Sequence, residues 1–166
     1  PLTLRTPWRL MIQHSPEWHI FNRNERVVMM RQMRNGALIS QCNISSGNAM
    51  PPGQHTPDPD FRTDVESEVQ KLGGSVVAES TLRDDEQWRI RRVQTSATVN
   101  KSEIIRNYYL CTAASGEQYS LMFSHSAADS AAFGRESEQI LDTLSLARRP
   151  PSLPFRKQAR GTRKVP

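Results

Sequence analysis

The sequence lacks the segments and motifs by which many function classes are recognised. No stretch approaches the roughly 18–20 consecutive apolar residues of a membrane-spanning helix, and no basic region followed by an apolar run marks a signal peptide. Glycine-rich phosphate-binding loops, an H-E-x-x-H zinc motif and a G-x-S-x-G nucleophile elbow are also missing. The sequence therefore predicts no reaction, no cofactor and no metal, and it leaves the cellular compartment open.

Cysteine is scarce, with Cys42 and Cys111 lying 69 residues apart. This spacing excludes a C-x-x-C redox pair and offers no zinc framework. Both cysteines fall in segments predicted as strands, which favours two small buried hydrophobic side chains. The alternative is one disulfide between strands in an oxidising compartment.

Positive charge is unevenly distributed along the chain. The full sequence carries 22 lysines and arginines against 17 acidic residues, a net charge of +5. Seven of the basic residues and none of the acids lie from Arg148 onward, which leaves a net charge of −2 on residues 1–147. Because a nucleic-acid-binding domain keeps its basic patch on the folded part, this distribution argues against a specific nucleic-acid partner.

Residues 148–166 form a basic, proline-rich tail that we predict to be disordered, and residues 1–147 form one domain. The tail contains a P-x-x-P pattern flanked by arginines, a type of segment that SH3-like grooves bind. Weak binding to an anionic surface is the simpler prediction. The candidate interaction residues are the basic side chains of the tail: Arg148, Arg149, Arg156, Lys157, Arg160, Arg163 and Lys164.

Strand patterns dominate the domain. Alternation of apolar and polar residues predicts strands over 8–12, 18–21, 26–34, 37–44, 76–82, 88–99, 103–113 and 118–124. Asn35-Gly36, between two apolar runs, is the strongest hairpin signal in the chain. Strands joined by short turns are antiparallel, so these segments predict an antiparallel sheet of about six to seven strands.

Two helices are predicted beside these strands. The first has Pro57 and Pro59 in its first turn, ends at Gly73-Gly74 and carries the apolar stripe Phe61, Val65, Val69 and Leu72. The second begins near Ser126 and continues toward Leu146. The result is an α+β domain whose sheet is covered by α-helices, an α/β/α sandwich. The predicted core residues are Val65, Val69, Trp88, Ile90, Tyr109, Leu121, Phe123, Ile140 and Leu144.

His125 lies among residue types that occur in hydrolytic triads, namely Ser124, Ser126 and Asp129. All four fall within six residues at the predicted start of the second helix. Serine and aspartate at such a position cap the helix backbone. We therefore interpret the group as a helix cap.

Other polar groups also have a simple structural interpretation. His14 and His19 are an odd number of residues apart in an extended segment, which directs their side chains to opposite faces. We predict that both histidines lie on the surface and bind no metal. Asp58, Asp60 and Asp64 suit the positive end of the first helix dipole better than a calcium loop.

The segment 45–60 contains four prolines and is predicted to be a long surface loop. Long loops on a rigid scaffold often carry binding, so this segment is either a contact surface or an inert insertion. It also underlies the alternative function, a hydrolase or transferase with a site between the sheet and this loop. That site would use His55 and Cys42.

Several segments resemble PsbP-like domains. The similarity lies in residues 106–111 (RNYYLC), the glycine turn at Gly116, residues 119–124, the helical segment up to residues 140–146 and the Pro16-Glu17-Trp18 turn. It covers roughly residues 8–147. The proline-rich 45–60 loop and the basic tail depart from the family pattern.

This resemblance implies a central antiparallel sheet between helices and an accessory role without catalysis. The superfamily includes the extrinsic photosystem II subunit, a Ran-binding nuclear import factor, bacterial lipoproteins and secretion-system chaperones. None of their functional residues can be matched here, so none is carried over. Our first hypothesis is a non-catalytic protein-interaction or accessory domain, either alone or within a longer protein, whose protein partner is not identified by the sequence.

Overall fold

The computed structural model describes residues 1–133 and 135–148. The elements before the long loop are five strands: β1 (Leu2–Arg5), β2 (Leu10–His14), β3 (Trp18–Arg23), β4 (Val28–Arg34) and β5 (Ala37–Ser46). Helix α1 (Asp58–Gln70) follows, and then β6 (Ser75–Asp84), β7 (Trp88–Val99), β8 (Ser102–Ala113) and β9 (Gln118–Ser126). The last elements are a 3₁₀ turn (Ala127–Asp129), α2 (Ser130–Phe133), α3 (Glu136–Leu141) and β10 (Ser145–Leu146).

Seven strands form one antiparallel sheet in the order β3-β4-β5-β9-β8-β7-β6. The predicted α+β class with an antiparallel sheet is therefore confirmed. The predicted hairpin turn is also present: Asn35 and Gly36 have φ of 51° and 77°, the left-handed pair that a two-residue turn between β4 and β5 requires.

The main core lies on one face of this sheet. Trp18, Phe123 and Tyr109 make edge-to-face ring contacts there, with Phe123 at the centre. A second, smaller sheet in the order β1-β2-β10 covers this face together with α2 and α3. All nine predicted core residues are buried.

Helix α1 packs on the opposite face. Phe61 and Val65 contact Val93 of β7 and Leu110 of β8. The helix ends at Gln70, shortly before the predicted glycine pair, and Gly74 N–H donates to the carbonyl of Val69. Its first residue, Asp58, pairs with Arg89 of β7. Because α1 lies over the β6–β7–β8 half, the β3–β4–β5–β9 half of this face carries no helix in the described chain.

The prediction of one continuous second helix is wrong. The segment forms a 3₁₀ turn and two short helices, and the last of these ends at Leu141. The Thr143 hydroxyl donates to the carbonyl of Ile140, and the same oxygen accepts the backbone N–H of Gln13. The chain then pairs with β2 as β10. The apolar residues whose spacing predicted a helix therefore pack in the core without continuing the helix.

The N-terminal prediction also needs correction. Residues 2–5 were not expected to form a strand, yet β1 pairs with β2 along its whole length. The strand expected over 8–12 runs instead from Leu10 to His14. Both differences follow from the small sheet, which depends on pairing between distant segments.

The long connection begins after Ser46 and ends before Asp58, so the loop spans 47–57. It is hydrogen-bonded to the β8–β9 turn, with Met50 N–H donating to the carbonyl of Gly116 at 2.8 Å. The side chain of Gln118 accepts Thr56 N–H at 3.0 Å and donates to the carbonyl of Asn48 at 2.7 Å. These contacts hold the loop against the end of the sheet.

Candidate functional site

Of the seven basic residues predicted to bind a partner, the structure describes Arg148. It is exposed and lines a cavity of about 510 Å³ beside Trp8 and Arg9. Arg149, Arg156, Lys157, Arg160, Arg163 and Lys164 lie outside the described residues. Of the helices in the described part of the chain, none has the length and hydrophobicity to cross a bilayer.

The structure does not bring His55 and Cys42 together. Cys42 is fully buried in the main core, on the face of the sheet opposite α1. His55 lies in the loop on the α1 side, where its Nδ1 is 2.8 Å from the carbonyl oxygen of Thr56. Burial also raises the pKa of the Cys42 thiol well above its usual value, so the predicted nucleophile is neither accessible nor activated.

The two cysteines are free. Cys42 pairs with Phe123 of β9, and Cys111 pairs with Tyr119 on the other side of the same strand. They therefore lie two strands apart, about 9.5 Å across the sheet, and are also offset by four residues, from Tyr119 to Phe123, along β9, which exceeds the reach of a disulfide. The prediction of two packed thiols is confirmed.

A cavity of about 340 Å³ does lie between the sheet, α1 and the 47–57 loop. Its walls include Phe61 and Val65 of α1 and Tyr108 of β8. None of its described lining residues is a histidine or a cysteine, so it does not supply the catalytic pair that we predicted for this place.

The capping interpretation is correct for Ser126 and Asp129. The Ser126 hydroxyl accepts the backbone N–H of Asp129 at the start of the 3₁₀ turn and donates to its carboxylate at 2.8 Å. His14, however, is 7% exposed and lies inside the fold, so the prediction that it is a surface residue is wrong. Within residues 1–133 and 135–148, no cluster of acidic, histidine and cysteine side chains is arranged to hold a metal ion.

The open sheet face is our name for the outward side of β3, β4, β5 and β9 together with the adjoining residues Arg106 and Tyr108 of β8. It lies beside α1, and Tyr108 also packs against the cluster formed by that helix. Strand pairing aligns Met29, Asn43, Met122 and Tyr108 in one row across four strands. Phe21 stands at the edge of this face on a β-bulge of β3 and is 59% exposed. Methionine and aromatic side chains in such a row make an adaptable apolar contact surface.

A polar row runs parallel to the apolar one. It aligns Arg31, Gln41, Ser124 and Arg106. The Arg31 guanidinium lies 3.7 Å from the centre of the Phe21 ring and donates to Gln41 at 3.2 Å. Neither Arg31 nor Arg106 has a carboxylate within ion-pair distance among the described residues.

The open sheet face is basic because its strands contain no acids. β3, β4, β5 and β9 contain no aspartate or glutamate. Of their basic side chains, strand pairing places Arg31 and His19 on this face, whereas His125 points to the opposite face and Arg34 pairs with Glu17 and Glu136. This signal was present in the sequence, but it became a surface property only when the sheet order placed the four strands side by side.

A second polar site, which we call the His125 pocket, lies where α2 and α3 cross β7, β8 and β9. It is a cavity of about 360 Å³. The side chains that define it are Arg92, Asn107, Tyr109, His125, Ser130 and Glu138. They come from five elements, so no local sequence motif indicates the pocket.

Hydrogen bonds in the His125 pocket are only partly complete. His125 is 8% exposed; its Nε2 lies 3.2 Å from Ser130 Oγ, while its Nδ1 is buried without a partner. Burial lowers the pKa of His125. The Tyr109 hydroxyl lies 3.2 Å from Ser137 Oγ, and burial raises its pKa.

Comparison with known proteins supports the fold. No protein-family model matches the sequence, and none of the curated proteins shows a significant match. A crystal structure of a protein from Bacteroides thetaiotaomicron VPI-5482 is similar over 84% of this chain, with a TM-score of 0.52 and 14% sequence identity. This chain spans 45% of the length of that protein, and at this identity the similarity concerns the fold alone.

Proposed function

We propose that this chain is a non-catalytic accessory domain of the PsbP-like type that binds a protein partner on its open sheet face. The observation that carries the proposal is the pair Arg31 and Arg106, which lie in one cross-strand row without carboxylate partners. Arg106 Nε is also buried without a hydrogen-bond partner. Buried or half-buried arginines are normally paired, so the row lacks the acidic side chains that a partner would bring.

The occupant that fits best is an amphipathic helix with acidic residues along one flank. Helix α1 already packs on the β6–β7–β8 half of the same side, and a partner helix beside it would complete the layer. Its apolar face would contact Phe21, Met29, Met122 and Tyr108. Helix-in-groove recognition uses such a row of apolar anchors with a charged rim.

The distance between Arg31 and Arg106 determines how far apart the acidic residues of the partner helix would have to be. Arg31 on β4 and Arg106 on β8 are three strand spacings apart, about 14 Å. At a rise of 1.5 Å per residue, this distance corresponds to about nine residues of helix. Because residues nine apart lie on opposite sides of a helix with 3.6 residues per turn, the spacings near this distance that keep two carboxylates on one flank are about seven and about eleven residues. A partner with this spacing, and with leucine or methionine on its apolar face, matches both rows.

A nucleic acid is the less suitable occupant. Two unpaired cations neutralise few phosphates, and the affinity of a protein for DNA or RNA rests on many such contacts. The body of the chain has a net charge of −2. Burial of the apolar row between β4 and β8 against an apolar helix would be more favourable in free energy than contact with a phosphate backbone.

Site-specific photocrosslinking tests the proposal. p-Benzoylphenylalanine would replace Phe21 in one sample and Val77 in a control; Val77 is 54% exposed on β6, the opposite edge strand. After irradiation in cells of the source organism, we expect one discrete protein adduct from position 21 and none from position 77. Equal labelling from both positions, or an adduct that nuclease removes, would contradict the proposal.

The captured partner would then be purified and titrated against charge variants. We expect R31E to weaken binding about tenfold or more, since a charge-assisted hydrogen bond contributes about 1.5–3 kcal/mol. The matched control is R5E, because Arg5 is exposed on β1 of the small sheet. If R31E binds as tightly as the wild-type protein, the open sheet face is not the binding surface.

A further inference from the structure

The His125 pocket holds two opposite charges that are not paired with each other. Arg92 of β7 and Glu138 of α3 both line the cavity. Neither forms an ion pair among the described residues. Opposite charges that share a cavity but do not meet leave room for a ligand that carries both complementary charges.

The neutral polar groups around Arg92 are also arranged for a ligand. Asn107 is buried, and its Oδ1 accepts the amide of Gln94 at 3.1 Å, which leaves the amide nitrogen of Asn107 as a donor. The guanidinium of Arg92 lies beside the Tyr109 hydroxyl. Planar guanidinium and amide donors at one end of a cavity suit a carboxylate.

Two nitrogens beside the cavity have no hydrogen-bond partner among the described residues. They are Nε of Arg92 and Nδ1 of His125, both buried. Buried polar atoms are nearly always hydrogen-bonded, and two such atoms around one cavity indicate a network that a bound group completes. The apolar part of the wall is supplied by Phe133, whose ring packs 4.7 Å from that of His125.

We propose that the His125 pocket binds a free proteinogenic α-amino acid. The ligand carboxylate meets Arg92 and Asn107, and its ammonium group meets Glu138. The cavity volume of about 360 Å³ is near the lower end for small-molecule sites, which fits a ligand of this size. The ligand side chain lies against Phe133 and Ile105, which also lines the cavity.

The pocket is separate from the proposed protein-binding surface. Arg92, Asn107 and His125 point to the face that carries α2 and α3, whereas Arg31 and Arg106 point to the face that carries α1. The two proposals can therefore succeed or fail independently.

Nuclear magnetic resonance with isotope-labelled protein tests the inference directly. The twenty proteinogenic amino acids would be added singly at up to about 10 mM, and the ring resonances of His125 and Phe133 followed. We expect saturable shifts with at least one amino acid. No saturable shift with any of them would overturn the proposal.

Matched ligands separate the roles of the two charges. The N-acetyl derivative of the binding amino acid lacks the ammonium group, and its amide lacks the carboxylate. We expect each to bind at least tenfold more weakly than the parent. Equal affinity for the N-acetyl derivative would show that the site takes a plain carboxylate and would refute the zwitterion assignment.

Protein variants provide the second test. R92M should abolish the ring shifts, while R5M, a change of the exposed Arg5 of β1, which does not line the pocket, should preserve them. Circular dichroism and thermal unfolding would establish that both variants are folded. If R92M is unfolded, E138Q serves in its place, with the same expected loss. Persistence of the ring shifts in a folded R92M or E138Q variant would contradict the proposal.

Discussion

The carboxylate of Asp58 accepts a hydrogen bond from each terminal nitrogen of the Arg89 guanidinium, at 2.9 and 3.0 Å. Asp58 is the first residue of α1, and Arg89 lies on β7. Arg91 Nε lies 3.6 Å from the same carboxylate. This bidentate pair attaches the N-terminus of the helix to the sheet and helps to determine which half of that face remains open.

The Asp58–Arg89 pair predicts a pH-dependent stability. The Arg89 hydrogen bonds lower the pKa of Asp58 from its usual value. A carboxyl group with a depressed pKa in the folded state contributes stability above its unfolded pKa of about 3.9, and this contribution is lost as the pH falls through the folded pKa. We expect D58N to lower the free energy of unfolding by about 1–2 kcal/mol at pH 7, and the difference from wild type to shrink below pH 4.

Urea denaturation at a series of pH values measures this effect. The control is D64N, because Asp64 lies in the same helix but forms no ion pair among the described residues. We expect D64N to cost less than about 0.5 kcal/mol. Equal losses in the two variants would show that the Arg89 pair is not the cause of the loss in D58N.

The thiols of Cys42 and Cys111 should react only after unfolding. Both are fully buried, and burial raises the pKa of each thiol. Since the thiolate is the reactive form, a thiol reagent at pH 8 should label neither cysteine in the native protein and both in denaturant under non-reducing conditions. A mass two protons lower, with no titratable thiol, would instead indicate a disulfide.

Leu144 should be important for stability even though it lies outside a helix. It is 7% exposed in the main core, so L144A removes buried methyl groups and leaves a cavity. We expect a loss of about 2–5 kcal/mol. L38A is the matched control, because Leu38 is 50% exposed and its truncation should cost about 0.5 kcal/mol or less. An unchanged denaturation midpoint for L144A would place the segment after α3 outside the core.

Gly116 should tolerate no side chain. Its φ is +90°, and an added Cβ would lie 1.9 Å from the carbonyl oxygen of Met50. G116A should therefore displace the 47–57 loop and cost about 2–3 kcal/mol or more. Gly36 is the control, since it also has positive φ but no atom within 4 Å of a Cβ, and G36A should cost about 1 kcal/mol. Thermal unfolding compares the two; equal losses would exclude the loop contact as the cause.

Sequence patterns correctly predicted the elements that are determined by interactions between residues close together in the sequence. Strand β7 was predicted with both of its ends correct, because its alternation is long and bounded by turns. Helix α1 was predicted from its apolar stripe, its prolines and its terminal glycines. These signals lie within about a dozen residues of one another.

The errors occurred where contacts between segments far apart in the sequence determine the structure. The apolar spacing of Ile140, Leu141 and Leu144 suits a helix, but pairing with β2 turns the end of the segment into β10. His14 is also buried by distant segments, since Leu2 of β1 pairs with it and Ile140 and Thr143 lie beside it around one cavity. A two-residue strand leaves no periodic pattern in the sequence.

The candidate sites were even less visible in the sequence. Arg92, His125 and Glu138 come from β7, β9 and α3, and each looks like an ordinary surface or cap residue in its own segment. Their proximity depends on the order of the strands. The open sheet face similarly required the register that aligns Arg31 with Arg106.

The position of β2 between β1 and β10 has a consequence for how the protein is made. Ser145 pairs with Met11, a contact that spans more than 130 residues. During synthesis, β1 and β2 leave the ribosome well before β10, so β2 keeps one unpaired edge until β10 emerges. Contacts of such long sequence separation form slowly, and unpaired edges of partly folded chains promote aggregation. The small sheet is therefore completed only after β10, near the end of the domain, has been synthesised.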